Sequence, residues 1–383
     1  MRDFFPQWQA LTTDPEILSW VRGYKIPFLA SPTQAYPPIE RFSDHDKENL
    51  ASIIPELLAK GVINRCTPAP DQFISPVFLE PKPNGGARLI LNLKKLNAFL
   101  SAPHFKIEDA RVAARLITPK VFLATLDLKD AYYLVPVDPA YWRYLRFSFN
   151  KELFEFTCLP FGLCTAPFVF TKLLKPVMHS LRLAGYLSVV YLDDFLLVGA
   201  SYEACVENVA VTCDRLASLG FLFSKNKCQF PPSQQCQFLG LLFDSARFSV
   251  ELPQKRHQAV LRLIKKFRHL KSCTIRSFAQ FVGSIGACCP ALPYAWLYTK
   301  QFEREKVRAL ARARGSYDAL MSVPSLPEDF KWWEAVLPSG SKSLESPPFD
   351  LEIFSDASLT GWGAACAGRV AHGFWQGEDL QCH

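Results

Sequence analysis

The stretch SVVYLDDFLLVG, residues 188–199, sets two adjacent aspartates, Asp193 and Asp194, inside a run that otherwise reads as buried strand. Apolar residues flank the pair on both sides, so the segment predicts a hairpin with YLDD at or near its turn. Neighbouring carboxylates repel each other, and burying a charge without a partner is expensive. A turn facing a solvent-filled cleft lowers that cost, and a divalent cation offsets it further. Magnesium favours a few carboxylates together with waters and phosphate oxygens.

A second carboxylate group lies upstream, in FLATLDLKDAYYLVPV, residues 122–137. Asp127 closes a strongly apolar strand, which places it at the rim of a sheet, and Asp130 follows three residues later. With Asp127 beside the YLDD turn, three carboxylates converge, enough to hold two metal ions. Such ions activate an attacking hydroxyl and stabilise a leaving pyrophosphate in an in-line displacement. A single strand-end aspartate, or a lone Asp-Asp pair, is as readily an ordinary turn residue; the whole segment and its neighbours carry the weight.

The surrounding composition is that of a folded protein. The chain has 383 residues, 49% of them hydrophobic, enough for a large core and more than one domain. Its net charge of +7 suits a polyanionic partner. None of the 12 cysteines has zinc-site spacing, and they read as reduced, mostly buried thiols. No apolar run reaches spanning length and the N-terminus has no signal-peptide pattern, so a soluble, intracellular protein without a membrane partner is expected.

Along the chain, GYKIPFLASPTQAYPP reads as extended and irregular. A helix capped by Ser43 or Asp44 follows, with a break or kink expected at Pro55. SPVFLEPKPNGGARLILNL reads as two strands joined at Asn84-Gly85. KVFLATLDL and RYLRFSFNKELFEFTCLP also read as strands. A helix runs from near Pro167 to Gly185, with Pro176 as a kink. In KRHQAVLRLIKKFRHL, residues 255–270, Val260, Leu263, Ile264, Phe267 and Leu270 share one helical face. The other carries Lys255, Arg256, Arg262, Lys265, Lys266 and Arg268, with no acid among them. A second helix begins near Thr274. LPSGSKSLESPPFD reads as a linker, after which LEIFSDASLTGWGAACAG starts a new strand and turn. The pattern is an α+β body, a helical module, and part of another domain.

Six motifs in order now resemble one family: ARLILNLKKLN, LDLKDAYYLVPV, LPFGLCTAPFVFTK, YLDD, SKNKCQF and FLGLLF. Over about residues 60–300 the chain resembles the reverse transcriptases of retroelements. Details such as FTCLPFGLCTAPFVFTK, FSDASLTGWGA and the N-terminal TTDPEIL and GYKIPF are similar to DIRS-like (tyrosine-recombinase) retrotransposons. The resemblance implies a right-hand polymerase: fingers, a palm with an antiparallel sheet, and a helical thumb, followed by the first strands of a ribonuclease H-like α/β domain. The implied boundaries are an N-terminal extension at 1–45, fingers and palm at 46–247, thumb and connection helices at 248–335, a linker at 336–348 and a ribonuclease H-like segment at 349–383. The implied activity is transfer of a deoxynucleotide to a primer 3′-hydroxyl on an RNA or DNA template, with two magnesium ions for which manganese can substitute.

Carried over by motif, Asp127, Asp193 and Asp194 resemble the catalytic, metal-binding carboxylates, with the backbone carbonyl of Leu128 assisting. Arg88 resembles the fingers arginine that grips the incoming triphosphate, and Lys82 its lysine companion; a guanidinium fork and an ammonium both suit phosphate. Tyr132 resembles the aromatic that closes the sugar pocket against a 2′-hydroxyl. Read on its own it is a packing aromatic, and only the motif context changes that. Phe161 and Gly162 resemble the segment flanking the nucleotide pocket; retroviral members often carry Gln where Phe161 stands. Lys227 resembles the lysine that protonates the leaving pyrophosphate, and Phe238, Leu239 and Gly240 resemble the primer grip. Lys255, Arg256, Arg262, Lys265 and Lys266 fall where a thumb meets the duplex backbone, although a basic helix face is as readily just solvated.

Asp356, in IFSDASLTGWGA, resembles the first carboxylate of a ribonuclease H site. That site needs further acids, and only 27 residues follow Asp356. A vestigial ribonuclease H is therefore expected, in a truncated chain or a fragment of a polyprotein. Two other readings stand beside the RNA-directed DNA polymerase. One is a non-catalytic nucleic-acid-binding relic, against which the intact carboxylates, Arg88 and Tyr132 argue. The other is an RNA-making polymerase sharing the palm, against which Tyr132 argues.

Overall fold

The computed structural model describes residues 1–40, 42–81, 85–345 and 349–377. The chain forms two units, Met1–Lys342 and Ser343–His383.

The first unit starts with helices α1 (Phe5–Leu11) and α2 (Pro15–Gly23). Asp14 caps α2 by accepting the N–H groups of Glu16 and Ile17, and Pro15 takes the first helical turn, where no N–H is missed. Trp8 is fully buried and donates its indole N–H to the Leu219 carbonyl at 3.1 Å. Residues 1–23 are thus built into the main core, which nothing in their Pro-rich and aromatic texture announced. The chain then runs extended, bridging Tyr24 to Val137 and Phe28 to Leu100.

Helix α3 (Asp44–Ala59) begins with a full capping box between Ser43 and Asp46. It continues unbroken through Pro55, which corrects the break expected there. Proline frees the carbonyl four residues earlier, but Ala51 and Pro55 are both exposed, so water can serve that carbonyl. After β1 (Ile63–Cys66), strands β2 (Val77–Pro81) and β3 (Ala87–Leu91) form the expected antiparallel hairpin, with Val77 opposite Leu91 and Pro81 opposite Ala87. Asn84 lies outside the described residues; Gly85 and Gly86 both take positive φ, as the turn demands. Short helices α4 (Lys94–Asn97) and α5 (Ala110–Leu116) lead to β4 (Phe122–Asp127). Helix α6 (Pro139–Trp142) precedes β5 (Arg146–Phe149) and β6 (Glu152–Phe156), which make an antiparallel sheet of order β1-β6-β5.

Helix α7 (Ala166–Leu183) also runs unbroken through its internal Pro176 and buries Val169, Phe170, Leu173, Leu174, Val177 and Leu181. It packs against β7 (Leu187–Tyr191), which forms the predicted hairpin with β8 (Asp194–Gly199). Helix α8 (Tyr202–Ser218) leads to β9 (Gln229–Ser233), completing a four-stranded antiparallel sheet of order β7-β8-β4-β9. Strands β10 (Gln235–Phe238), β11 (Leu241–Asp244) and β12 (Ser249–Glu251) form a meander.

A second core follows. Helices α9 (Gln254–His269) and α10 (Ile275–Gly286), joined by β13 (Ser272–Thr274), pack with α11 (Lys300–Arg312), β14 (Leu320–Ser322) and α12 (Pro327–Val336). Val260, Ile264 and Phe267 point inward from α9 and meet Phe278, Phe281, Phe302, Phe330 and Trp333. Phe267 stacks on Phe281 with ring centroids 4.5 Å apart. No helix among the described residues is long and apolar enough to cross a membrane.

In the second unit, three antiparallel strands, Phe354–Ala357, Gly361–Cys366 and Arg369–Phe374, realise the strand and turn read in LEIFSDASLTGWGAACAG.

Candidate active site

The three aspartates meet because β4 and β8 are neighbours in register. Asp127, the last residue of β4, lies directly opposite Asp194, the first residue of β8. Asp194 also pairs across the hairpin with Tyr191, leaving Leu192 and Asp193 as a two-residue turn. Leu192 takes φ +55°. Positive φ at the first turn position alone is the pattern of a type II′ hairpin turn, and leucine is an uncomfortable residue for it. The Asp193 carbonyl accepts the Leu128 N–H at 2.9 Å, which ties the turn to the end of β4.

Asp127 is only 8% exposed. Lys227 answers its charge, with Nζ 3.0 and 3.3 Å from the two carboxylate oxygens. Its backbone is held as well: the Asp127 carbonyl accepts from the Ser224 N–H at 2.8 Å, and its own N–H points at Cys228 Sγ at 3.3 Å. Burial pushes the Asp194 carboxyl up to about 6, helped by repulsion from Asp193 and Asp127 and opposed by Lys227. Asp193 is also raised, first by burial and then by Asp127, with Lys227 and Arg88 pulling the other way.

Among the described residues, no group of three or more His, Cys, Asp or Glu side chains is gathered so as to hold a metal ion by itself. The donors are nevertheless of the kind that hard divalent cations take. They are crowded carboxylates whose mutual repulsion a cation would relieve, open to water and phosphate for the remaining positions.

The residues expected at a nucleotide form one aromatic wall. Tyr132 sits in a 3₁₀ turn, Ala131–Leu134, after β4. Its ring lies 5.2 Å from Phe161 and 5.7 Å from Phe170. Its phenol is pushed up to about 12 by burial and then by the charge of Asp193. The Arg88 guanidinium, from β3, stacks 4.5 Å over Phe161. Gly162 takes φ +105°, and a Cβ there would lie 2.1 Å from the Leu91 carbonyl oxygen, so only glycine fits. Lys82 lies outside the described residues.

Asn97 was missed by the sequence reading, although it ends the quoted motif ARLILNLKKLN. Its side chain donates to the Gly162 carbonyl and accepts the Cys164 N–H, at 2.9 and 3.1 Å, and so holds the LPFG loop against α4.

Phe238, Leu239 and Gly240 span the end of β10 and a second two-residue turn, with Leu239 at φ +50° and Gly240 at φ +71°. Arg256 does not join the free basic face of α9. Its Nη1 donates to the Gly240 carbonyl at 2.9 Å and ties this turn to the helix. Lys255, Arg262, Lys265 and Lys266 are exposed, while Arg268 pairs with Glu334 of α12. Asp356 lies in the second unit, on an exposed strand, where its Oδ1 accepts the Ala357 N–H at 2.9 Å.

A strand-end carboxylate facing a carboxylate hairpin in an antiparallel sheet, an aromatic and arginine wall, and a second, helical core are the parts of a right-hand polymerase fold. The comparisons agree. Residues 80–243 match the family model described as reverse transcriptase (RNA-dependent DNA polymerase). A Transposon Tf2-3 polyprotein of Schizosaccharomyces pombe is 27% identical over 220 residues, covering 57% of this chain and 15% of that protein. The enzymatic polyprotein of figwort mosaic virus is 24% identical over 345 residues, covering 87% of this chain and 47% of that one. The chain therefore spans less than half the length of either relative. Among solved structures, the foamy viral protease-reverse transcriptase in complex with RNA/DNA hybrid superposes with a TM-score of 0.64 at 15% identity, over 99% of this chain and 53% of that one. The same viral protein with double-stranded DNA gives 0.62 at 16% identity, over 99% and 82%.

Proposed function

We propose that the chain is the RNA-directed DNA polymerase of a retrotransposon, adding deoxynucleotides to a primer 3′-hydroxyl on an RNA or DNA template. The observation that carries this reading is the register pair Asp127–Asp194 with Asp193 at the adjoining turn. It brings together carboxylates more than sixty positions apart in the chain. The solved neighbours in complex with RNA/DNA hybrid and double-stranded DNA support template and primer as the partners.

In this reading Asp127, Asp193 and Asp194 hold two magnesium ions, replaceable by manganese, which when bound lower the pKa of the attacking hydroxyl and neutralise the leaving pyrophosphate. The chain's own groups do the rest. Arg88, stacked on Phe161, offers its fork to triphosphate oxygens, with Lys82 as a second cation. Tyr132, fixed between Phe161 and Phe170, bars a 2′-hydroxyl. Lys227 holds a proton at Nζ beside Asp127, in reach of the departing phosphate. The Phe238–Gly240 turn places the primer end, and Lys255, Arg262, Lys265 and Lys266 meet duplex phosphates. Recognition is by duplex shape and backbone, with little sequence preference. The finer assignments belong to the same proposal: a DIRS-like element, a palm and fingers over 46–247, a thumb over 248–335, and a ribonuclease H-like start around Asp356.

The test is primer extension on an RNA template with magnesium and deoxynucleotides. The natural chain incorporates, and Asp193→Asn drops incorporation by about a thousandfold or more, as expected for loss of a charge-stabilising group in the reacting centre. Equal incorporation by both chains would overturn the assignment.

A further inference from the structure

Strand β7 is the outer strand of the carboxylate sheet, and its last residue, Tyr191, opens the turn that carries Asp193. An edge strand presents unpaired N–H and C=O groups on its free side, and these must find partners. Pairing of Tyr191 with Asp194 across a two-residue turn directs alternate residues of β7 toward β8. Ser188 and Val190 therefore turn their backbone groups outward.

One outward group of each residue, the Ser188 carbonyl and the Val190 N–H, is taken by one ion pair. Glu108, just before α5, and Arg182, near the end of α7, bond bidentately: Nη1 to Oε1 at 2.7 Å and Nη2 to Oε2 at 2.8 Å. Glu108 Oε2 also accepts the Val190 N–H at 2.7 Å, and Arg182 Nη2 also donates to the Ser188 carbonyl at 2.9 Å. The pair thus acts as a miniature fifth strand, bonding β7 where a sheet neighbour would. Both side chains are about two-thirds covered, at 35% and 30% exposed, so these charge-assisted bonds are partly shielded from water.

We propose that Glu108 and Arg182 are positioning residues that fix the height of the Asp193 turn over the nucleotide site. The inference rests on the polymerase reading for its kinetic consequence, though not for its geometry. Leu192 holds a strained φ of +55°, and a strained turn persists only where its surroundings over-determine it. On the inner side β8 and the Leu128 N–H hold the hairpin; on the outer side the ion pair does, three residues before Asp193. Without the pair the edge of β7 frays and Asp193 loses its fixed place relative to Asp127. Neither residue belongs to the carboxylate set or to the aromatic and arginine wall assigned to the nucleotide, so nucleotide affinity is preserved while turnover falls.

The experiment combines kinetics and amide exchange on the full chain. Glu108→Ala and Arg182→Met each lower kcat about ten- to a hundredfold, the scale of a misplacement near one ångström. The KM for deoxynucleotide stays within about twofold. Glu108→Gln keeps a carbonyl oxygen for the Val190 N–H and restores kcat to within about threefold of the natural chain. In Glu108→Ala the Val190 amide exchanges at least about tenfold faster, while Leu196 and Leu197 amides in β8 keep their rates. Wild-type kcat in both Glu108→Ala and Arg182→Met overturns the inference, as does a Val190 amide whose exchange is unchanged in Glu108→Ala. Glu108→Gln as slow as Glu108→Ala overturns it too. A natural chain that incorporates no nucleotide sinks the polymerase reading instead, and the exchange measurement still decides whether the pair holds β7.

Discussion

Two hairpins in this molecule share a plan and differ in what holds them. Each has a two-residue turn whose first residue is a leucine with positive φ, Leu192 at +55° and Leu239 at +50°. In the β7–β8 hairpin the next residue is Asp193, and the turn is tied through its backbone to the end of a neighbouring strand in the same sheet. In the β10–β11 hairpin the next residue is Gly240, and the turn is tied by the Arg256 side chain, which comes from the helix that opens the second core. One turn is locked within a sheet; the other is held by a side chain from the helix that follows the meander. The first arrangement suits carboxylates that must keep a fixed geometry. The second joins the turn to a helix outside its own sheet.

Three measurements sharpen or break that contrast. The largest effect falls on the locked turn. Asp194→Asn abolishes incorporation, by about a thousandfold or more, yet stabilises the metal-free fold by about 1–2 kcal/mol at pH 7 once screening by water in an open cleft is allowed for. The sign follows from the raised carboxyl. Folded Asp194 titrates near 6 and an unfolded aspartate at its ordinary 3.8, so the folded chain binds more protons between those values. Stability of the natural, chelator-treated chain is therefore full below about pH 4 and falls as pH rises through 6; the variant loses that part of the slope. Thermal melts from pH 4 to 7.5 decide it. A variant less stable than the natural chain at pH 7 would mean that Asp194 is not held against its own charge.

The intermediate effect falls on the coupling arm. Arg256→Ala frees the Gly240 carbonyl and lowers primer–template affinity about three- to tenfold, the loss of one charged hydrogen bond, while kcat for a single addition changes less than about twofold. A kcat loss as large as that of a carboxylate variant would make Arg256 part of the locked site. The smallest effect is Gly240→Ala. A Cβ there would stand 2.3 Å from Arg256 Nη1, and the backbone sits at φ +71°. The arginine end can swing away, so the cost is the backbone term, about 1 kcal/mol by denaturant melt. A cost several times larger would show that the arm is rigid.

The carboxylate hairpin was legible because it obeys local rules: period-two apolar runs around a turn, with charges only where a rim can expose them. The same holds for the Ser43 and Thr274 caps, each of which accepts the N–H three residues on. The break expected at Pro55 was misjudged because proline's cost depends on where the freed carbonyl points, and that is a property of the packed helix. Trp8 gave no sign of its burial, since its partner carbonyl, Leu219, lies more than two hundred positions away. Arg256 read as one more charge on a basic face. Its bond to Gly240 depends on how β11 and α9 approach, and helical periodicity carries no information about that. Glu108 and Arg182 stood in no motif, because what they bond is backbone, which leaves no mark on the residues it belongs to.

The sequence by itself determined the elements and their chemistry. Alternation wrote the strands, glycine and proline placed several turns, and the order of motifs singled out Asp127, Asp193 and Asp194 as candidates. Only the tertiary structure decided which of these groups touch. Asp127 faces Asp194 because two distant strands pair in one register, and a slip of one residue would turn every side chain of β4 to the other side of the sheet. That register is fixed jointly by the residues buried on both faces, so no single segment encodes it.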